Sequence, residues 1–168
     1  MILLIECLIA MGLFALVVVP MDAKNPLGVI SDYPPAIRKR CVELGLIENT
    51  EKRFSARDII RKCLGVIVLV ILSVLVLKKI NHAETFFEGF ISSYIIWLSI
   101  AWFDALIIDC LWFCHSKRMR IPGTEDMKEY KDYLFHIKQS CIGTLIGLPS
   151  CALIGLLVAL FSSNSWKK

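Results

Sequence analysis

Four apolar blocks separated by charged segments set the pattern of this chain: Ile2–Pro20, Cys63–Leu77, Phe86–Cys114 and Cys141–Phe161. Membrane hydrocarbon is about 30 Å thick and a helix rises about 1.5 Å per residue, so about 20 apolar residues span it. Three blocks meet that length. The second, Cys63–Leu77, reaches it if Ile59, Ile60 and Ile80 extend it while Arg61, Lys62, Lys78 and Lys79 snorkel to the headgroups. The pattern therefore predicts an all-α integral membrane four-helix bundle, one membrane domain over residues 1–168. Its expected spans are 2–20, 63–80, 86–114 and 141–162, with cytosolic segments at 21–62 and 115–140. The first block also has a signal-peptide reading. It lacks a basic n-region, carries Glu6 near its start and offers only Met21-Asp22-Ala23 for cleavage, so a retained helix is expected.

Charge orients the spans. Residues 21–62 hold nine Lys/Arg and 115–140 hold six, against two in 78–85 and two at the C-terminus. The positive-inside rule then places both basic segments in the cytosol and both termini outside. Composition agrees with burial in lipid: 57% apolar, 20% charged, mean hydropathy +0.66. The formal net charge of +4 is concentrated in the two basic segments, a face suited to anionic lipid headgroups. No interleaving of aromatic and basic residues points to nucleic acid. The seven cysteines are odd in number and none lies in an external loop, which argues against a disulfide framework.

The basic segments carry local structure of their own. In SDYPPAIRKRCVELG, Ser31 or Asp32 can cap a helix, Pro34 and Pro35 suit its first turn, and Gly45 can end it. Ile37, Cys41 and Leu44 share one face, ringed by Arg38, Lys39 and Arg40. The expectation is a short amphipathic helix lying in the headgroup plane; packing on the other cytosolic segment is the alternative. Ser55 with Asp58 suits an N-terminal capping arrangement, so the second spanning helix is expected to begin before the membrane. In IPGTEDMKEYKDYLFHIKQ, Thr124 is the expected N-cap of a second interfacial helix with the stripe Met127, Tyr130, Leu134 and Ile137. The segments NPLGVISDYPPAIRKRCVELGLI and RIPGTEDMKEY resemble those of small bacterial polytopic membrane proteins with no assigned activity. That resemblance implies a bacterial plasma membrane and no particular chemistry.

Two aspartates lie inside the third block, in WFDALIIDCLWFCH. With the inner boundary near Cys114, Asp109 sits about 7 Å deep and Asp104 about 15 Å deep. An ionised aspartate near the bilayer centre costs at least about 2.5–3.5 kcal/mol, so Asp104 must face other helices, be protonated, or bind something. In an α-helix the two carboxylates point about 140° apart, and His115 shares the face of Asp104 about 16 Å along the axis. Asp104, Asp109 and His115 form the candidate proton or substrate site. The competing reading makes Asp104 a helix contact bonded to Ser92, Ser99 or Thr144. Glu6, near the external end, reads as an interfacial charge. Cys63, Cys110, Cys114 and Cys141 cluster with His115 and His136 at the cytosolic ends of the spans. These are soft-metal ligand types, but packing or acylation accounts for them without a metal, and neither a metal nor a cofactor is expected.

Gly143, Gly147, Cys151, Gly155 and Ala159 recur every four residues down the fourth block, a small-residue stripe that admits a close helix neighbour. Pro149 adds an expected kink. The stripe serves either a span of the same chain or a second subunit, in a homo-oligomer or with a partner membrane protein. No signature for hydrolase, metalloprotease or phosphate-loop chemistry is present. Three classes of function remain: a transporter or permease component, a non-catalytic membrane subunit or scaffold, and a lipid-modifying enzyme working at the cytosolic interface near Asp109, His115 and His136.

Overall fold

The computed structural model describes residues 1–48 and 56–163. Its regular structure is entirely helical among the described residues, and three helices are long and apolar enough to cross a membrane: Ile2–Lys24, Phe86–Phe113 and Tyr133–Ser162. The protein is thus an all-α membrane protein. In chain order it comprises α1 (Ile2–Lys24), a 3-10 segment (Pro26–Asp32), α2 (Pro35–Glu43), α3 (Ala56–Lys79) and α4 (Phe86–Phe103). Helix α4 continues as a π-helical segment (Asp104–Phe113); two short 3-10 turns (Lys117–Met119, Lys128–Lys131) then lead to α5 (Tyr133–Ser163). Leu4, Leu8, Leu13 and Leu16 on α1 and Leu64, Leu69 and Leu72 on α3 are exposed, the state of side chains that meet lipid tails. The Ser55–Asp58 cap falls outside the residues whose side chains are described, although α3 does begin at Ala56, ahead of its apolar block.

Contacts divide the chain into two compact units. The first comprises Met1–Leu8, Lys52–Ser99 and Gly143–Lys168. Its core sets Val74, Leu77 and Ala83 against Ile154 and Val158 of α5. Thr85 and Glu88 make a reciprocal capping box at the start of α4. The Glu88 Oε2 accepts from the backbone N–H of Glu84 and Thr85 at 2.8 and 3.0 Å, and Thr85 Oγ1 accepts from Glu88 N at 3.2 Å. Glu6 is half-buried rather than a freely hydrated interfacial charge: its Oε2 accepts from Asn81 Nδ2 at 2.9 Å.

The second unit, Ile9–Glu51 and Ile100–Ile142, holds a core that the amphipathic patterns had assigned to a membrane surface. Ile37 and Cys41 of α2 are fully buried together with Tyr33, Phe113, Cys114, Met119, Ile121 and Tyr130. The apolar face of the helix therefore packs on the second basic segment, the alternative left open by the sequence, rather than on lipid. Tyr33 meets Phe113 edge-on at 4.7 Å and Tyr130 at 5.9 Å, and its hydroxyl donates to Met119 O at 2.9 Å. These polar bonds explain why an aromatic cluster wins over lipid: each buried hydroxyl is satisfied by protein. Burial also pushes the Cys41 thiol and the Tyr33 hydroxyl above their ordinary pKa ranges.

The end of α2 follows its sequence. Gly45, at φ +68°, takes the left-handed position, Gly45 N donates to Val42 O at 2.9 Å and Leu46 N to Cys41 O at 3.0 Å, a Schellman closure. Its start does not. Neither Ser31 nor Asp32 caps it; the N-cap is Pro34, with no side-chain bond. The second interfacial helix is also absent. Thr124 caps no helix, because its hydroxyl donates to Ile121 O at 2.8 Å and contacts Tyr130 Oη at 2.7 Å. Tyr130 Oη accepts in turn from Ile121 N at 2.9 Å. The chain stays in turns until Asp132, whose Oδ1 accepts from Phe135 N at 3.0 Å and caps α5.

Candidate functional site

The second unit holds both aspartates of the third block, Asp104 and Asp109. From Asp104 onward the third block winds as a π-helix, seen in the bond from Cys114 N to Asp109 O at 2.9 Å. A π turn pairs residue i with i+5, so Asp104 and Asp109 come to nearly the same side, one turn apart. The wide angular separation expected from α-helical periodicity does not hold here. The π winding is what allows two carboxylates of one helix to act together.

Asp109 finds its partner on α5. His136 Nδ1 lies 3.2 Å from Asp109 Oδ2; the His136 side chain is 2% exposed and that of Asp109 25%. Phe113 and Phe135 meet the imidazole edge-on at 5.2 and 5.3 Å, which fixes the ring plane. With Nδ1–H donating to the carboxylate, the remaining nitrogen, Nε2, is left as an acceptor. It is buried and, among the described residues, has no hydrogen-bond partner. Asp104, Asp22 at the end of α1 and Asp32 in the following 3-10 segment are all close enough to interact electrostatically with Asp109. Asp109 thus holds the buried imidazole, and Asp104 and Asp32 also interact with it electrostatically.

Of the three predicted residues, the structure brings Asp104 and Asp109 together and separates His115 from them. The His115 ring lies 3.2 Å from Cys110 O through Nδ1 and 3.2 Å from Tyr133 Oη through Nε2, and it lines a different, basic pocket. Among the described residues no side chain hydrogen-bonds to Asp104. Ser99 instead turns back onto its own helix, donating to Ile95 O at 2.8 Å. That counts against Asp104 as a simple polar helix contact. His136 as the partner of Asp109, and the aspartates at 22 and 32, were missed. Depth alone separates the two, since His136 lies five residues before the fourth block and Asp109 five inside the third; the sequence set them near each other only in the lipid-modifying reading. No sequence signal would have found Asp22 or Asp32.

Of the cysteines at the ends of the spans, Cys110 and Cys114 are buried and Cys63 and Cys141 exposed, and all four are free thiols. Among the described residues no group of three or more His, Cys, Asp or Glu is placed to hold a metal ion.

The small-residue stripe packs within the chain, against α4. A Cβ on Gly155 would lie 2.7 Å from Phe86 O and 3.0 Å from Phe90 N and Cβ. At Gly147 it would overlap the Trp97 indole, whose Nε1 donates to Gly143 O at 3.0 Å. Cys151 is buried and Ala159 half-buried in the same helix, whereas a Cβ on Gly143 would meet nothing within 4 Å. Comparison with protein-family models, with curated proteins and with solved structures finds no match to this chain.

Proposed function

We propose that this protein is a four-span membrane protein of a plasma membrane, termini outside and basic segments in the cytosol, acting as a proton-coupled transport component. Asp104, Asp109 and His136 carry the proton. The observation behind this reading is the buried His136–Asp109 pair, whose second imidazole nitrogen has no partner among the described residues although the residue is almost fully enclosed. A buried imidazole held by one carboxylate, with Asp104 and Asp32 in electrostatic reach, is a group whose charge state other groups control. Ionisable residues inside spanning segments mark proton or ion paths as the default reading. Water or a substrate at Nε2 would exchange its proton there, and Asp104 would pass it further along the spanning segment.

The full-length protein, reconstituted in liposomes with an entrapped pH-sensitive dye, tests this under an imposed pH gradient. Asp104→Asn keeps the side-chain shape and should lower proton flux by roughly 10²-fold, the usual size of a lost acid–base group, with an unchanged thermal midpoint. His136→Gln should do the same. Wild-type flux in both variants would sink the relay and leave the chain as a scaffold. A lipid-modifying enzyme is the second reading, favoured by the carboxylate-oriented imidazole, an arrangement suited to a general base. It requires turnover of a phospholipid by liposomes that pass no protons.

A further inference from the structure

We propose that the pocket lined by His115, Lys117, Arg120, Glu125 and Lys131 is a binding site for a phosphate group, from either a lipid headgroup or a soluble phosphate. The pocket is open, holds about 490 Å³ and lies where the third block leaves its spanning segment and α5 begins, at Tyr133. Three cations and one carboxylate line it, a net charge of +2 with His115 neutral. This site stands apart from the Asp109–His136 pair, and its assignment does not rest on the transport reading.

The cations are arranged for an external anion. Lys117 and Lys131 are exposed, and among the described residues neither side chain has an ion-pair or hydrogen-bond partner. Arg120 is fixed in place: Nη2 donates to Cys114 O at 2.7 Å and the guanidinium lies 3.9 Å from the centre of the Tyr130 ring. Its Nη1 is buried and, among the described residues, has no acceptor. A guanidinium so clamped loses little freedom when the exposed part of the group meets an anion. Glu125 does not neutralise the cations by contact; its Oε2 accepts from Gly123 N at 2.8 Å and fixes the loop at Gly123, φ +83°. Tyr133 and Cys110 O hold the His115 ring from both nitrogens. A phosphate offers several acceptor oxygens around one centre, which suits two mobile ammonium groups and one planar donor.

The test uses the full-length protein in uncharged detergent, titrated separately with inorganic phosphate and with short-chain phosphatidylglycerol, with short-chain phosphatidylcholine as reference. The thermal midpoint reports binding. Lys117→Ala with Lys131→Ala should weaken binding roughly thirtyfold, each cation near an anionic group accounting for about fivefold. Lys128→Ala with Lys138→Ala removes the same charge from exposed positions outside the pocket and should cost less than about threefold. Both lysines of the first pair are exposed, so folding is preserved; Lys117→Gln with Lys131→Gln repeats the test with longer side chains. Saturable binding of inorganic phosphate identifies a soluble ligand, and binding of phosphatidylglycerol alone identifies a headgroup. Equal losses in the two lysine pairs, or no saturable binding of either probe, would overturn the site.

Discussion

Gly155→Ala isolates how closely two spanning helices approach. The new Cβ would stand 2.7 Å from the Phe86 carbonyl oxygen and 3.0 Å from Phe90 N and Cβ. Carbon–oxygen contacts settle at about 3.3–3.6 Å, so α4 and α5 must part by at least half an ångström. Backbone atoms cannot swing aside as a side-chain tip can. Overpacking of this kind costs about 1–3 kcal/mol, while glycine-to-alanine in a helix returns up to about 1 kcal/mol of propensity. The net expectation is a loss of about 1 kcal/mol. Gly143→Ala supplies the reference on the same helix, because its Cβ meets nothing within 4 Å. It gains the propensity without the clash, so the two variants should differ by about 2 kcal/mol. Equilibrium unfolding in mixed micelles measures both, and taking the difference cancels changes in the unfolded state. If Gly155→Ala proves as stable as Gly143→Ala, the close approach of α4 and α5 is wrong and the stripe faces lipid or another subunit.

Gly147→Leu should be more damaging than Leu148→Ile, since it drives the Trp97 indole off Gly143 O; equal thermal midpoints would contradict that contact. Tyr130→Phe strips Ile121 N of its only side-chain acceptor in a dry core and should cost about 1–3 kcal/mol of folding stability, read by thermal melting. Cys41, fully buried with its thiol held above the ordinary range, should resist alkylation at pH 8 until the chain unfolds. The unfolded thiol ionises first as pH rises, so this residue's share of stability is complete below the ordinary thiol pKa and is lost between that value and the folded one. Membrane-impermeant thiol labelling should modify Glu84→Cys and spare Lys128→Cys in sealed cells, with exposed Cys63 and Cys141 replaced by serine; the reverse pattern would invert the proposed orientation.

The linear pattern of apolar and charged residues determined the membrane class of this protein, since length and hydropathy of a span are local quantities that no tertiary contact alters. Gly45 as a helix stop was equally legible, because a left-handed C-cap depends on one residue and its immediate neighbours. So was the stripe from Gly143 to Ala159, whose spacing alone shows that something must come close. Which partner fills it, α4 through Phe86, Phe90 and Trp97, is a matter of packing. Helical periodicity misled in two places. It assumed 100° per residue through Asp104–Phe113, where the chain winds as a π-helix and aligns two carboxylates that α geometry would separate. It also sent Ile37, Cys41 and Tyr130 to a lipid surface, when an apolar face reads the same toward lipid as toward protein. Only the fold could choose between those, by offering Tyr33 and Tyr130 polar partners on Met119, Ile121 and Thr124 that lipid does not supply. The pairing of Asp109 with His136 is of the same kind: it joins residues from two helices, and their meeting depends on how those helices pack.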